Sequence, residues 1–88
     1  MEMKGKVIAV MAPKSGDGKN GAWKMQEFVI ETDDRYPNRL CFEVWGEEKL
    51  AKFNINMGDM LVVKFDVDAT ERNGRWWPKN KAYEVTHE

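Results

Sequence analysis

The chain has 88 residues, a length that fits one small domain and leaves no room for a second core. Its composition is 42% hydrophobic and 33% charged, with seven glycines and three prolines, which excludes a disordered or collagen-like chain. The net charge of −1 does not by itself indicate a nucleic-acid-binding protein. We therefore expect a single domain over residues 1–88.

Neither a membrane nor an oxidising compartment is indicated. No stretch of the sequence approaches the roughly 18–20 consecutive apolar residues of a membrane span, and the charged N-terminus has no apolar signal-peptide core behind it. The single cysteine, Cys41, has no partner within the chain for a disulfide, which favours a reducing compartment. We expect a cytoplasmic location and no contact with a membrane.

Alternation of apolar and polar residues dominates the chain and predicts five strands, while one segment with helical spacing interrupts them. That segment carries acids in its first turn and places Leu50 and Phe53 three residues apart on one helix face. In chain order, the predicted elements are strands at 3–11, 23–32 and 39–45, a helix at 47–54, and strands at 60–67 and 76–85.

Two connections carry clear signals. Residues 14–21 contain three glycines and no apolar residue, so we expect an exposed loop there. Asn73-Gly74 predicts a tight hairpin turn between the last two strands.

The resulting order, β-β-β-α-β-β, predicts an all-β fold with one short helix between the third and fourth strands. This is the order of the five-stranded Greek-key barrel known as the OB-fold; a small half-open sheet with a stray helix is the alternative. Alternation within three strands predicts a barrel core formed by Phe28, Ile30, Phe42, Val44, Leu61, Val63 and Phe65.

Catalysis is poorly supported. His87 is one residue from the end of the sequence, Ser15 has no histidine near it in sequence, and Cys41 lies in a predicted strand. Histidine or cysteine residues at metal-ligand spacing are absent from the sequence. We expect no enzymatic activity, no metal and no cofactor.

The aromatic residues carry more information. Trp45 is displaced by one residue from the apolar face of its strand, so it is predicted to point outward, either as a stacking platform for a base or as part of a loop or subunit contact. Trp76 and Trp77 are adjacent in a strand and must face opposite ways, so we expect one in the core and one exposed.

Basic residues collect in two segments. Residues 1–24 hold five basic and two acidic side chains, and residues 69–88 hold four basic and three acidic ones. The segment between them, residues 25–68, holds five basic and ten acidic side chains. Cations interleaved with aromatics are typical of a groove that binds single-stranded nucleic acid, although Glu27, Glu31 and Glu43 on the same face would repel phosphate if unpaired. The predicted binding residues are Lys14, Lys19, Trp23, Lys24, Arg39, Trp45, Arg72, Arg75, Trp76, Trp77 and Lys79.

Four segments together resemble the bacterial single-stranded DNA-binding protein family: residues 5–8, 28–32, 42–46 and 57–63. Short, uncharacterised bacterial OB-domain proteins with the same Trp-Gly and Asn-Gly-Arg-Trp segments are more similar still. The resemblance covers nearly the whole chain and implies an OB-fold that binds single-stranded DNA.

The resemblance also implies roles for individual residues. Trp45 stands at the aromatic position that stacks on DNA, while Arg75 and Trp76 stand in the hairpin that helps to wrap the strand. Arg39 replaces another stacking aromatic of the family. The sequence ends at Glu88 without the long glycine-rich linker and acidic tip through which the family recruits partners, so we expect no hub role in replication.

These observations lead to two hypotheses. The first is non-catalytic binding of single-stranded DNA, with RNA as a second ligand to test, by basic loops and aromatic stacking with little sequence preference. The alternative is an OB module whose sheet face binds protein, in a homodimer, a higher oligomer or a complex with another subunit.

Overall fold

The computed structural model describes all 88 residues and contains six strands and one helix. Five of the strands and the helix coincide with predicted elements, with ends that differ by up to five residues. The elements are β1 (Glu2–Val10), β2 (Lys14–Gly18), β3 (Gly21–Glu31), β4 (Arg39–Trp45), α1 (Glu47–Phe53), β5 (Met60–Arg72) and β6 (Arg75–His87). No helix has the length and apolar character needed to cross a membrane.

The strands form one sheet in the order β1-β5-β6-β4-β3-β2, and β1 pairs in addition with β3. The link between β4 and β6 is a single parallel bridge between Glu43 and Lys81. The expected five-stranded Greek-key barrel is therefore corrected in two respects. The sheet has six strands, and its two halves meet across β4 and β6 at one bridge only.

The sixth strand, β2, occupies the segment predicted as a loop. It pairs along its whole length with β3, from Lys14 opposite Met25 to Gly18 opposite Gly21. Glycines usually weaken a strand because they offer no side chain to pack, but here Trp23 of β3 covers them. A Cβ atom at Gly16 would lie only 2.8 Å from Cζ2 of the Trp23 indole. The glycine thus allows a cross-strand aromatic ring to lie against the backbone of β2.

Strand β1 changes partners in its middle. It pairs with β5 from Glu2 to Lys6 and with β3 from Lys6 to Val10, with a bulge between Val7 and Ala9. At this crossing a Cβ atom on Gly5 would lie 2.7 Å from the backbone carbonyl oxygen of Glu31. Only glycine lets the two backbones approach so closely, and this approach joins the two parts of the sheet.

The hydrophobic core is one cluster of eleven buried residues, and it contains all seven predicted members. The prediction from alternation is confirmed. Phe53 of α1 is also buried in this cluster, and Leu50 packs against it, as the helical spacing predicted. The remaining members are Val7, Leu40 and Ala82.

The last hairpin extends beyond this core. Asn73 and Gly74 both have positive φ angles, 52° and 78°, as a two-residue type I′ turn requires, so the predicted turn is confirmed. We call residues 67–80 the arm. Its two tryptophans, Trp76 and Trp77, are both exposed. The expectation that one of them lies in the core was wrong, because the core ends before the strands do.

Candidate functional site

One surface of the sheet carries most of the predicted binding residues. Register places Met25 of β3 opposite Trp45 of β4, Glu27 opposite Glu43, and Glu43 beside Lys81 of β6. Directly opposed residues share a side of a sheet, as do residues two apart in one strand. We call this side the outer face. It comprises the outward residues of β2, β3 and β4, the β6 residues Arg75, Trp77, Lys79 and Lys81, and the β5 residues opposite them, Asp66, Asp68, Thr70 and Arg72.

A first cleft forms where β2, β3 and the end of β4 meet. The ring centroids of Trp23 and Trp45 are 5.7 Å apart, with their planes tilted by 45°. Lys81 Nζ lies 5.7 Å from the centroid of the Trp45 ring, within range of a cation–π contact. We call this the Trp23–Trp45 cleft. Its volume is about 380 Å³, and it is lined by Ser15, Ala22, Trp23, Lys24, Trp45, Gly46 and Glu47.

Trp45 points outward, as alternation predicted, but it also has a packing role. Met25 belongs to the outer face yet is only 5% exposed and lies outside the main core cluster. Its neighbours on that face are Trp23, two residues earlier in β3, and Trp45, directly opposite in β4. The two rings therefore shield an apolar side chain and leave part of their own surface, 37% for Trp45, open to solvent. Trp23 and Met25 are two positions apart on the side of β3 that faces away from the core. Two apolar residues at that spacing are the sequence signal that could have identified this second, smaller apolar cluster.

A second cleft lies between the arm and the body of the sheet. Its volume is about 370 Å³, and it holds three cationic side chains and one carboxylate. We call it the Trp77 cleft. The guanidinium carbon of Arg75 lies 4.6 Å from the centroid of the Trp77 ring, so one face of that ring is covered. The cleft is lined by Lys14, Glu43, Thr70, Arg72, Trp77, Pro78 and Lys79.

The three glutamates of the outer face all have partners. Glu27 is 3.4 Å from Lys14 Nζ, and Glu31 accepts a hydrogen bond from Arg39 Nε at 2.9 Å. Oε1 of Glu43 accepts a hydrogen bond of 2.9 Å from the Trp45 indole N–H. Two of the three glutamates are thus neutralised by neighbouring cations, whereas Glu43 and the β5 residues Asp66 and Asp68 take part in no ion pair on this face.

The cysteine thiol and the histidine ring both have partners within the protein. The pKa of Cys41 is raised, chiefly by burial and then by the charge of Glu27, whose Oε2 lies 3.8 Å from its Sγ atom. A raised pKa keeps the thiol protonated and unreactive. The His87 ring contacts the carbonyl oxygen of Phe53 at 2.5 Å and lies 3.6 Å from Asp59. No three residues among histidine, cysteine, aspartate and glutamate are grouped to hold a metal ion.

A third cleft lies on another part of the surface. It has a volume of about 410 Å³ and is formed by β1 and the turn after β3. Asp33 and Asp34 both line it, so two carboxylates face a cavity that holds one lysine, Lys4. This charge balance disfavours phosphate, and the cleft contains no aromatic ring on which a base could stack.

Seven of the eleven predicted residues line the Trp77 cleft or the Trp23–Trp45 cleft. Lys14, Arg72, Trp77 and Lys79 line the Trp77 cleft, and Trp23, Lys24 and Trp45 line the other.

Four predicted residues line neither cleft. Lys19 lies in the turn between β2 and β3, and Arg75 covers the Trp77 ring. Arg39 is paired with Glu31 at the start of β4, about 20 Å from Trp45 at the rise of an extended strand. Trp76 lies on the opposite side of the arm from Trp77, in register with Glu71. The cations among the predicted binding residues are therefore divided between two clefts and their surroundings.

The fold is that of solved single-stranded DNA-binding domains. The SSB domain of a Synechococcus protein has a TM-score of 0.68 at 17% identity, covering 99% of this chain and 92% of that chain. Mitochondrial Rim1 of S. cerevisiae, a single-stranded DNA-binding protein, has a TM-score of 0.74 at 13% identity, with coverages of 99% and 91%. For the small single-stranded DNA-binding protein of Streptomyces coelicolor the TM-score is 0.55 at 18% identity, with coverages of 100% and 92%.

These likenesses confirm the resemblance recognised in the sequence. At identities of 13–18% they establish the shared fold and do not transfer individual residues. No curated protein sequence matches the chain. A family model does match, over residues 2–86, and the chain therefore belongs to the family described as a domain of unknown function, DUF3127.

Proposed function

We propose that the chain is a non-catalytic OB-type domain that binds single-stranded nucleic acid, single-stranded DNA first, across its outer face. The observation that carries this proposal is the Trp77 cleft. It joins Lys14 from β2 to Arg72 and Lys79 from the arm, beside an exposed indole ring. Cations from segments more than fifty residues apart in sequence thus surround one aromatic platform.

Phosphate capture is the first step of the mechanism. Arg72 is exposed, Lys79 is partly exposed, and neither takes part in an ion pair, so they are available for the phosphates of a passing strand. Each phosphate that they neutralise releases condensed counterions, which makes binding favourable at low salt and weaker as salt rises. Lys14 contributes less because Glu27 already lies 3.4 Å away.

Base stacking is the second step. Trp45 and Trp77 each present an exposed ring, and both are held by neighbours: the Trp45 indole by Glu43, and the Trp77 ring by Arg75. A ring that is already fixed loses little entropy when a base stacks on it. Each base stacked on such a ring contributes about 1–3 kcal/mol, and every base has a π-face, so the contact tolerates most sequences.

The preference for DNA comes from the solved relatives, which are described as single-stranded DNA-binding proteins. RNA could use the same cations and rings, because neither phosphate capture nor stacking involves the 2′-hydroxyl group. Parallel titrations with the two kinds of strand decide between them.

A second function, binding of protein through the same face, is favoured by one observation. The outer face carries two cation–carboxylate pairs, Arg39 with Glu31 and Lys14 with Glu27. Such a pattern complements another protein surface, or a second copy of this chain, better than it complements a uniformly negative strand.

One experiment separates the two functions. Fluorescent dT and rU oligomers are titrated with the wild-type protein and with Trp45→Ala at two salt concentrations, and the mass of each protein is measured by light scattering. If Trp45 is a base platform, its fluorescence falls on binding and the variant binds about 1–3 kcal/mol more weakly, roughly five- to 150-fold. If Trp45 anchors a protein contact, the variant changes in mass and keeps its affinity for the oligomers.

A further inference from the structure

We propose that the Trp77 cleft prefers a base with an exocyclic amino group, cytosine above all, and that Glu43 is the residue that recognises it. This inference rests on the proposed function, because it assigns a preference to the same nucleic-acid surface. Stacking and phosphate contacts alone give little sequence preference. A hydrogen-bond acceptor fixed beside a stacking ring adds such a preference at one position.

Glu43 lies in the cleft and is only half satisfied. It lines the same cavity as Trp77 and Lys79. Its Oε1 atom accepts the hydrogen bond from the Trp45 indole, whereas Oε2 makes no hydrogen bond within the protein. One carboxylate oxygen thus remains free to accept a hydrogen bond from a ligand.

The charge of Glu43 also sets it apart from the other glutamates of the outer face. Glu27 and Glu31 each have a basic side chain within 4 Å, but Glu43 has none. A carboxylate without an ion-pair partner repels the phosphates of a strand, so Glu43 is unsuited to face the backbone. It is suited to face the edge of a base, because carboxylates accept hydrogen bonds from amino groups.

The position of the carboxylate is fixed by the strand and by its partner. Residue 43 forms the single bridge between β4 and β6, opposite Lys81, and the bond to Trp45 restrains the side chain. An acceptor that is already oriented loses less entropy when it binds a donor than a freely rotating side chain does.

The chemistry of the base edges determines the preference. Glutamate accepts a hydrogen bond from the N4 amino group of cytosine. Uracil has the same ring size but carries a carbonyl oxygen at that position, which the carboxylate repels. Stacking on Trp77 is similar for two pyrimidine rings of equal size, so the difference in affinity comes from this one edge.

The test compares the affinities for dC and dU oligomers by fluorescence titration. The oligomers are about 12 nucleotides long, a length within the usual site sizes of this fold. The pH is mildly alkaline, because runs of cytosine stay unfolded there. The wild-type protein should bind dC about fivefold more tightly, near the low end of the discrimination from a good base contact. Glu43→Gln should remove most of the preference, because an amide can donate to O4 of uracil as well as accept. Glu48→Gln, which makes the same charge change on α1 outside both clefts, should keep it.

A second variant keeps the Glu43 carboxylate but removes the hydrogen bond that orients it. Trp45→Phe retains an aromatic ring but lacks the indole N–H that holds Glu43 Oε1, so the preference for dC should shrink without disappearing. Equal affinity of the wild-type protein for dC and dU overturns the inference while leaving the proposed function intact, as does a preference that survives Glu43→Gln. Failure of every oligomer to bind at low salt overturns both.

Discussion

The two halves of the β5–β6 hairpin have the same alternating pattern but different surroundings. In the first half Leu61, Val63 and Phe65 face the core and are at most 5% exposed. In the arm the same side continues with Val67, which is 59% exposed. Alternation therefore predicts which side of a strand a residue occupies, but not whether anything covers that side.

The uncovered half carries most of the proposed binding surface. One side of the arm carries Arg72, Trp77 and Lys79, and the other carries Val67 and Trp76. An isolated two-stranded hairpin is marginally stable in water, so the arm depends on its continuity with the paired strands of the body. Stability comes from one half of the hairpin, and the proposed binding surface comes from the other.

The largest expected effect tests whether the first half of the β5–β6 hairpin contributes more to stability than the arm. Phe65→Ala should lower the free energy of unfolding by about 3–5 kcal/mol, because it leaves a cavity in the core. Val67→Ala, on the same side two residues later, should change it by less than about 1 kcal/mol, since a surface substitution usually has little effect. Denaturant titration measures both. Similar losses at the two positions would mean that the core extends into the arm.

The residues that the sequence places correctly are those governed by local chemistry. Alternation located the core side of Phe28 and Phe42, and the Asn73-Gly74 turn has the positive φ angles expected of it. The outward position of Trp45 followed from the same alternation. Each of these features depends on a neighbouring residue or on a strand period, and both can be read from the sequence.

The features that escaped prediction depend on what lies across a strand. Nothing in Gly16 and its neighbours indicates a strand until the indole of Trp23 is known to cover them. The exposure of Trp76 depends on where the core ends, which is a property of the whole sheet. The division of cations into two clefts also required the register of β2 against β3, since only that register brings Lys14 near Glu27.

The two sides of the arm should differ in binding. Trp77→Ala removes the ring of the Trp77 cleft and should weaken the affinity for dT oligomers by about 1–3 kcal/mol. Trp76→Ala, on the opposite side and 64% exposed, should weaken it by much less. Fluorescence anisotropy with both variants gives the comparison. An equal loss from the two substitutions would indicate that the strand wraps around the arm and contacts both sides.

The cations of the arm should set the salt dependence. Replacing Arg72 and Lys79 together with glutamine should reduce the slope of log affinity against log salt by about 1.4, or roughly 0.7 for each phosphate contact on a single strand. A matched control replaces Lys49 and Lys52 of α1, which changes the net charge equally at positions outside both clefts. Titration at several salt concentrations measures the slopes. Equal reductions in both variants would attribute binding to net charge instead of to the Trp77 cleft.

The smallest expected effect concerns the turn that closes the arm. Gly74→Ala places a side chain at a φ angle of 78°, which should strain the turn by roughly 1–2 kcal/mol. Gly58 has a similar φ angle of 86° but precedes β5 and lies outside the arm, so Gly58→Ala provides the matched control. Neither glycine has a heavy atom within 4 Å of an added Cβ, so both substitutions test conformation without a clash.

Amide hydrogen exchange and oligomer binding measure the effects of Gly74→Ala and Gly58→Ala. Amide hydrogen exchange should become faster across the arm in Gly74→Ala while the amides of β3 and β4 stay protected, because a segment with few buried contacts opens by itself. The same variant should bind oligomers several-fold more weakly, since a frayed arm no longer holds Arg72 and Trp77 in place. Gly58→Ala should leave the arm protected and the affinity unchanged. If straining the turn has no effect on binding, the strand does not depend on an ordered arm, and the Trp23–Trp45 cleft alone must carry the affinity.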